Sequence, residues 1–384
     1  MLPLLEEISQ KTECHIKERM KSNREIEVKE LMGKVSMDSI ASCAFGVDSK
    51  SFTNDNSEFV LAAKKILEFA HPWAIVQNVI AMFTPKLVKQ FFTKLGFKNF
   101  ATISHVKENE FFQNVVEASI KHRKESKERR NDLVDLMIDA IEGETEDSLA
   151  ERHNNSEKIT TRSAFSKTSA KKAKDVNYDK VISTAESLLL AGYDTTGTTM
   201  TYIIYRLAMN QDCQNTLFEE IENENGAGGL CYETVHSMPY LDAVIHETLR
   251  MHPVLAALER PCSKDYKLPN TDLVIKKGDL VRLSSIGISF DPDIFPNPEK
   301  WNPDNFSKEN RANRNPYSFM AFSLGPRNCL AMRFAFFEMK VAISHIVSKF
   351  KILQTEKTCK NVKVDPRSVL GAAKGQLWVR FEER

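Results

Sequence analysis

The feature that most constrains this chain is the helical pattern that resumes at Tyr178 and continues to about Asn210. Val181, Ala185, Leu188 and Leu189 recur at the three- and four-residue spacing that turns one face of a helix toward a core. Similar patterns fill residues 1 to 140: LLEEISQKTECHIKERM, ELMGKVSMDSIASCAFG, SEFVLAAKKILEFA, then a long helix through FFQNVVEASIKHRKES and NDLVDLMIDAIEG. Further helices are expected near residues 212 to 224, 240 to 251 and 330 to 350. After Pro253 the texture changes to short β-like runs (DLVIKKGDLVRL), a Pro/Asp/Asn-rich meander (FDPDIFPNPEKWNPDNF) and a terminal stretch, VLGAAKGQLWVRFEE, that predicts a hairpin around Gly375. The fold class read from these patterns is mainly α with small antiparallel sheets, without internal repeats.

Two segments interrupt the pattern. Residues 144–174 are polar, acidic early and basic late, with a single aromatic, and predict a disordered loop between helices. Residues 83–100 mix phenylalanines with lysines, which suits either a connector docking its aromatics on the core or a surface segment touching lipid.

Lys+Arg 53 against Asp+Glu 52 leaves no charge excess to attract nucleic acid. Cysteines 14, 43, 213, 231, 262, 329 and 359 are odd in number and scattered, with neither a CxxC pair nor zinc spacing, so free thiols in a reducing compartment are expected. No run of about 18 apolar residues and no charged-then-apolar leader is present. The expectation is a cytosol-facing chain whose membrane contact is peripheral.

Three constellations carry chemistry. In SLLLAGYDTTGTTM (residues 187–200) the apolar stripe meets Gly192, Gly197 and four threonines, which a helix would not choose for stability. Threonine hydroxyls can bond back to the carbonyl four residues earlier and open the helix, and glycine lets another group approach; close helix packing through small residues explains the same pattern. In YLDAVIHETLRMHP, Glu247 and Arg250 lie three apart, with Leu241, Val244, Ile245 and Leu249 forming the apolar face. That periodicity predicts a solvated ion pair. In FSLGPRNCLAMRFA, Cys329 precedes a helix whose Leu330, Phe334, Phe337 and Val341 are apolar, near the positive helix end and two residues from Arg327. A lone cysteine is usually a small buried hydrophobe. With no histidine within ten residues to act as a base, the functional reading is a single thiolate ligand to a metal carried in a macrocycle.

Together the three pieces resemble the cytochrome P450 family of haem-thiolate monooxygenases. FSLGPRNCLA matches the signature Phe-x-x-Gly-x-Arg-x-Cys-x-Gly, AGYDTT the oxygen-activating helix and ETLR the Glu-x-x-Arg helix, in the family's order. The wording of RPCSKDYKLP and GPRNC is most similar to the animal microsomal enzymes. The resemblance implies haem b (iron protoporphyrin IX), with Cys329 as axial ligand in a loop that includes Phe322 and Gly325, and Arg327 and Arg260 on the propionates. It further implies that Ala191 and Gly192 leave the groove above the iron open, that Asp194 and Thr195 relay protons, and that Glu247 with Arg250 is a structural pair behind the haem. Two positions depart from the pattern: Ala331 stands at the signature's last glycine, and Asn305 where many members carry an arginine that joins Glu247 and Arg250.

The implied activity is insertion of one atom of dioxygen into an apolar small molecule (a xenobiotic, steroid or fatty-acid-like compound) with electrons from NADPH-cytochrome P450 reductase at the cytosolic face of the endoplasmic reticulum membrane. No Trp-x-x-x-Arg helix is found at Trp73, Trp301 or Trp378. The chain is therefore expected to be one incomplete P450 domain, residues 1–384, shortened at its N-terminus by an anchor, a β-rich region and the first helices. Weak haem retention follows from that expectation. Two alternatives stand beside the monooxygenase: a haem-thiolate isomerase needing no reductase, against which Asp194-Thr195 argues, and a non-catalytic fragment unable to hold haem.

Overall fold

A computed structural model describes residues 1–22, 25–54, 57–67, 106–142, 178–226, 231–366, 368 and 370–384. The polar segment 144–174 and the Phe/Lys segment 83–100 lie outside them. Contacts divide the chain into two compact units, one built from Met1–Ser39 and Gly192–Arg384, the other from the described residues between Ile40 and Ala191.

In chain order the helices of the first unit begin with α1 (Leu2–Lys21) and α2 (Val28–Ile40), the latter reaching the boundary residue. Pro3 opens α1, where its missing N–H costs nothing, and Leu5, Ile8, Thr12 and Ile16 bury one face. The second unit holds α3 (Glu58–Leu67), α4 (Val106–Ser126) and α5 (Leu133–Glu142). Sequence periodicity predicts one long helix where α4 and α5 stand. The chain breaks between them because Lys127 (φ 55°) and Asn131 (φ 53°) turn left-handed, and Arg123 folds back onto Asp132 and Asp135, each at 2.8 Å. Phe59 of α3 meets Phe112 of α4 edge-on at 5.2 Å.

The long helix α6 spans Tyr178–Met209, as its periodicity predicts. It is followed by α7 (Gln211–Gly226), α8 (Tyr232–Ser237), α9 (Pro239–Met251), α10 (Ser285–Ser289), α11 (Lys308–Ala312) and α12 (Met332–Lys349). Most of α12 from Phe337 to Val347 is buried, and α1, α7, α8 and α9 all pack on it, so α12 is the axis of the first unit.

The strands are β1 (Ile26–Glu27), β2 (Ala257–Pro261), β3 (Tyr266–Lys267), β4 (Val274–Ile275), β5 (Leu280–Ser284), β6 (Phe350–Leu353) and β7 (Trp378–Glu383). They pair antiparallel in three small sheets, β1-β7-β6, β2-β5 and β3-β4. The terminal hairpin sits earlier than expected. Its arms meet at Val364↔Ala373 with Lys374 donating to the Lys363 carbonyl at 2.7 Å, while Gly375 (φ 83°) turns the chain away toward β7. β7 then pairs with β6 and β1, burying Val379 and Phe381.

Candidate functional site

Glu247 and Arg250 stand on α9, one turn apart. The expectation of a solvated pair is overturned: both side chains are 0% exposed. Arg250 donates from Nε and Nη2 to the two Glu247 oxygens, each at 2.8 Å, and from Nη1 to the Ser289 carbonyl at 2.7 Å. Helical periodicity missed this because α9 is enclosed on its polar side too, by the meander. Asn302 N–H and Asn305 Nδ2 donate to Glu247 Oε1 at 2.9 and 3.2 Å, so Asn305 meets the carboxylate as an amide rather than as a cation. Arg314 donates to the Asn305 carbonyl at 2.7 Å and lies 4.2 Å from the Phe295 ring centre, with Arg250 also over that ring at 5.0 Å. At the start of α9, burial opposes ionisation of Asp242, but His246, Lys340 and Arg311 hold its carboxyl well below the usual range. α9 is thereby tied to both α11 and α12.

The polar stretch of α6 is held by groups on two helices. Ser36 of α2 donates to the carbonyls of Gly192 (3.3 Å) and Tyr193 (2.5 Å). Thr199 and Thr201 bond back to the carbonyls of Thr195 (2.9 Å) and Gly197 (2.7 Å), the pattern that threonine predicts in a helix. Gly197 follows the packing explanation: an added Cβ would stand 3.4 Å from the Met32 carbonyl and 3.5 Å from Gly33 Cα. The α2 contact thus excludes bulk at 197 while Ser36 occupies carbonyls at 192 and 193. Asp194 and Thr195 are half-buried beside it, and Ala191 is exposed. Burial raises the Asp194 carboxyl above its ordinary value, with Lys29 opposing; burial and the neighbouring Asp194 push Tyr193 up to about 12. A carboxyl that keeps its proton to higher pH is suited to proton donation.

Cys329 follows a 3₁₀ turn, Gly325–Arg327, in which Gly325 takes φ 78°. The following helix starts at Met332, two residues later than expected. Cys329 N–H donates to the Phe322 carbonyl at 2.8 Å, which closes the loop and fixes where the sulfur sits. The buried-hydrophobe reading fails, because Cys329 is exposed and Leu330 beside it is 87% exposed. None of the seven cysteines is joined to another in a disulfide.

Arg327 and Arg260 are both exposed, and among the described residues neither has a carboxylate partner. Arg260 joins the cysteine loop directly: from β2 it donates to Ser323 Oγ at 2.9 Å. A thiol, two unneutralised guanidinium groups and exposed Leu324, Leu330 and Leu283 form a donor set with a soft ligand, anion sites and apolar surface. That set fits an iron macrocycle bearing two carboxylates. Among the described residues no group of three His, Cys, Asp or Glu could chelate a bare metal ion.

A family model for cytochrome P450 matches residues 1–379. The chain belongs to the cytochrome P450 family. It is 33% identical to cytochrome P450 6k1 of Blattella germanica over 371 residues, which is 95% of this chain and 66% of that protein. It is 33% identical to cytochrome P450 9e2 of the same insect, covering 94% of this chain and 64% of that one. With cytochrome P450 3A2 of Rattus norvegicus it shares 32% identity over 96% of its own length and 68% of the relative. The chain spans about two thirds of the length of these relatives. Cytochromes P450 carry haem b.

Sequence reasoning missed Ser36, Ser323 and Arg314. Each acts through a partner distant in the chain or on a backbone atom, and no spacing rule reports such contacts. Tyr202 Oη of α6 donates to the Gly371 carbonyl at 2.8 Å, and Gly371 (φ 65°) lies so close to Pro253 that a Cβ there would stand 2.7 Å from its carbonyl oxygen.

Proposed function

We propose that the chain belongs to a haem-thiolate monooxygenase acting on apolar small molecules of the xenobiotic, steroid or fatty-acid type, with electrons from NADPH-cytochrome P450 reductase. The observation that carries this reading is the exposed Cys329 thiol, fixed by its own N–H on Phe322 in a loop that Arg260 joins. Haem held there supplies dioxygen activation, which no side chain alone performs. Cys329 holds the iron, Arg260 and Arg327 receive the propionates, and Phe322 and Gly325 shape the loop. Ala191 and Gly192 are the small residues that leave room along α6. Glu247 and Arg250 keep α9 and the meander in place behind the loop.

Proton delivery falls to Asp194 and Thr195. The Asp194 carboxyl holds a proton above its ordinary range because burial disfavours the charged form. The Thr195 hydroxyl can accept that proton and pass on its own without net charge entering the apolar space. The endoplasmic reticulum membrane is the proposed location, since apolar substrates partition there; no described helix is long and apolar enough to cross a membrane. The test of the relay is Thr195→Ala. Haem content should be unchanged while NADPH consumption yields more peroxide and less oxygenated product, and unchanged product per NADPH would reduce Thr195 to packing. A preparation that turns over a peroxide substrate without reductase would favour the isomerase instead.

A further inference from the structure

The loop before Cys329 contains a residue in a conformation that its side chain does not favour. Ser323 has φ 60°, in the left-handed region where a β-carbon crowds the following carbonyl and which glycine enters freely. Two residues later the same loop does use glycine, at Gly325. The position therefore calls for an account of what a side chain at 323 does. Its hydroxyl accepts a hydrogen bond from Arg260 Nη2 at 2.9 Å, across 63 residues of chain, while Arg260 Nη1 donates to the Glu259 carbonyl at 2.8 Å. Glu259 does not neutralise the guanidinium, because its carboxylate is taken by Arg282 from the paired strand β5. The Ser323 N–H is spent on the Met320 carbonyl at 2.9 Å, and the residue before it, Phe322, receives the Cys329 N–H. Ser323 thus belongs to the turn that closes on the cysteine, and its side chain holds the end of Arg260.

We infer that Ser323 is a positioning residue for haem: its hydroxyl fixes the Arg260 guanidinium against the Cys329 loop, so the thiolate and one propionate contact are set as a single unit before haem arrives. This rests on the reading of Arg260 as a propionate contact. The hydrogen bond fixes a cation that strand β2 alone would leave free to swing, and preorganisation of this kind shows in how slowly a ligand leaves.

The test is a double-mutant cycle on the haem-loaded chain, read as the rate of haem transfer to apomyoglobin, with thermal melting of the four haem-free proteins in parallel. Arg260→Gln should speed haem release. Ser323→Gly should speed it about threefold although glycine suits φ 60° better, so the haem-free variant should melt no lower than the parent. Adding Ser323→Gly to Arg260→Gln should change release no further. Ser323→Asn, which tolerates positive φ and returns a side-chain oxygen, should restore slow release. The inference is overturned if Ser323→Gly leaves release unchanged, or speeds it equally in both Arg260 backgrounds. Unchanged release in Arg260→Gln itself would remove the propionate reading of Arg260 and the positioning role with it. Fast release in Arg260→Gln but not in Ser323→Gly would remove the tether alone.

Discussion

Glu338 is the residue whose chemistry least suits its surroundings. It is 1% exposed on α12, and neither of its oxygens, nor Ser39 Oγ nearby on α2, completes a hydrogen bond. Burial pushes its carboxyl well above the ordinary carboxylate range, with the Ser39 hydroxyl pulling the other way. A carboxyl whose folded value is raised favours folding while protonated. Its contribution is complete below the ordinary glutamate value and is lost as pH rises through the raised one. Glu338→Gln keeps the shape and removes the titration. The urea midpoint of the wild type should fall more between about pH 5 and pH 8 than that of Glu338→Gln. Parallel pH profiles would show that Glu338 is paired or hydrated. Nothing in the sequence warned of this: Glu338 sits among Phe334, Phe337 and Val341 at positions where an exposed glutamate is ordinary, and only in the fold does Ser39 of α2 come beside it.

Two helices carry the element-scale argument. On α9, Glu247→Gln leaves the Arg250 guanidinium at 0% exposure without its counter-charge. The expected loss is about 3–5 kcal/mol, measured by urea unfolding of the haem-free chain; a loss under about 1 kcal/mol would mean that the Ser289 and Lys300 carbonyls, which accept from Arg250 Nη1 and Nη2 at 2.7 and 3.4 Å, suffice. On α6, the 3.4 Å that an added Cβ at Gly197 would leave to the Met32 carbonyl is ordinary contact for a methyl group. Gly197→Ala should therefore be tolerated, whereas Gly197→Leu should force α2 and α6 apart and lower the melting temperature by several degrees. Equal melting of the two variants would contradict the close packing. Helix existence was legible from periodicity: α6, α9 and α12 fall within about two residues of expectation. The break between α4 and α5 was not, since left-handed Lys127 and Asn131 carry no glycine to announce them. Nor was the burial of Glu247, which depends on the meander, a segment without periodicity.

For the molecule as a whole, short motifs carried the family assignment. Phe322 to Ala331, Ala191 to Thr196 and Glu247 to Arg250 were recognisable because thiolate ligation, a polar opening in a helix and a buried bidentate pair each demand fixed residue types at fixed spacing. What those motifs rest against was hidden: Ser36 under α6, Ser323 under Arg260 and Arg314 beside Phe295 are contacts between segments far apart in sequence, and they depend on the assembled fold. The central claim is that Cys329 alone places a thiolate on haem iron. The most direct measurement is the optical spectrum of the reduced, CO-bound protein, recorded for the haem-reconstituted chain and for Cys329→Ser beside it. The wild type should show the red-shifted band of a thiolate-ligated haem, and Cys329→Ser should lose it. A red-shifted band that survives in Cys329→Ser, or one that vanishes on substituting another cysteine such as Cys359 instead, would contradict the assignment.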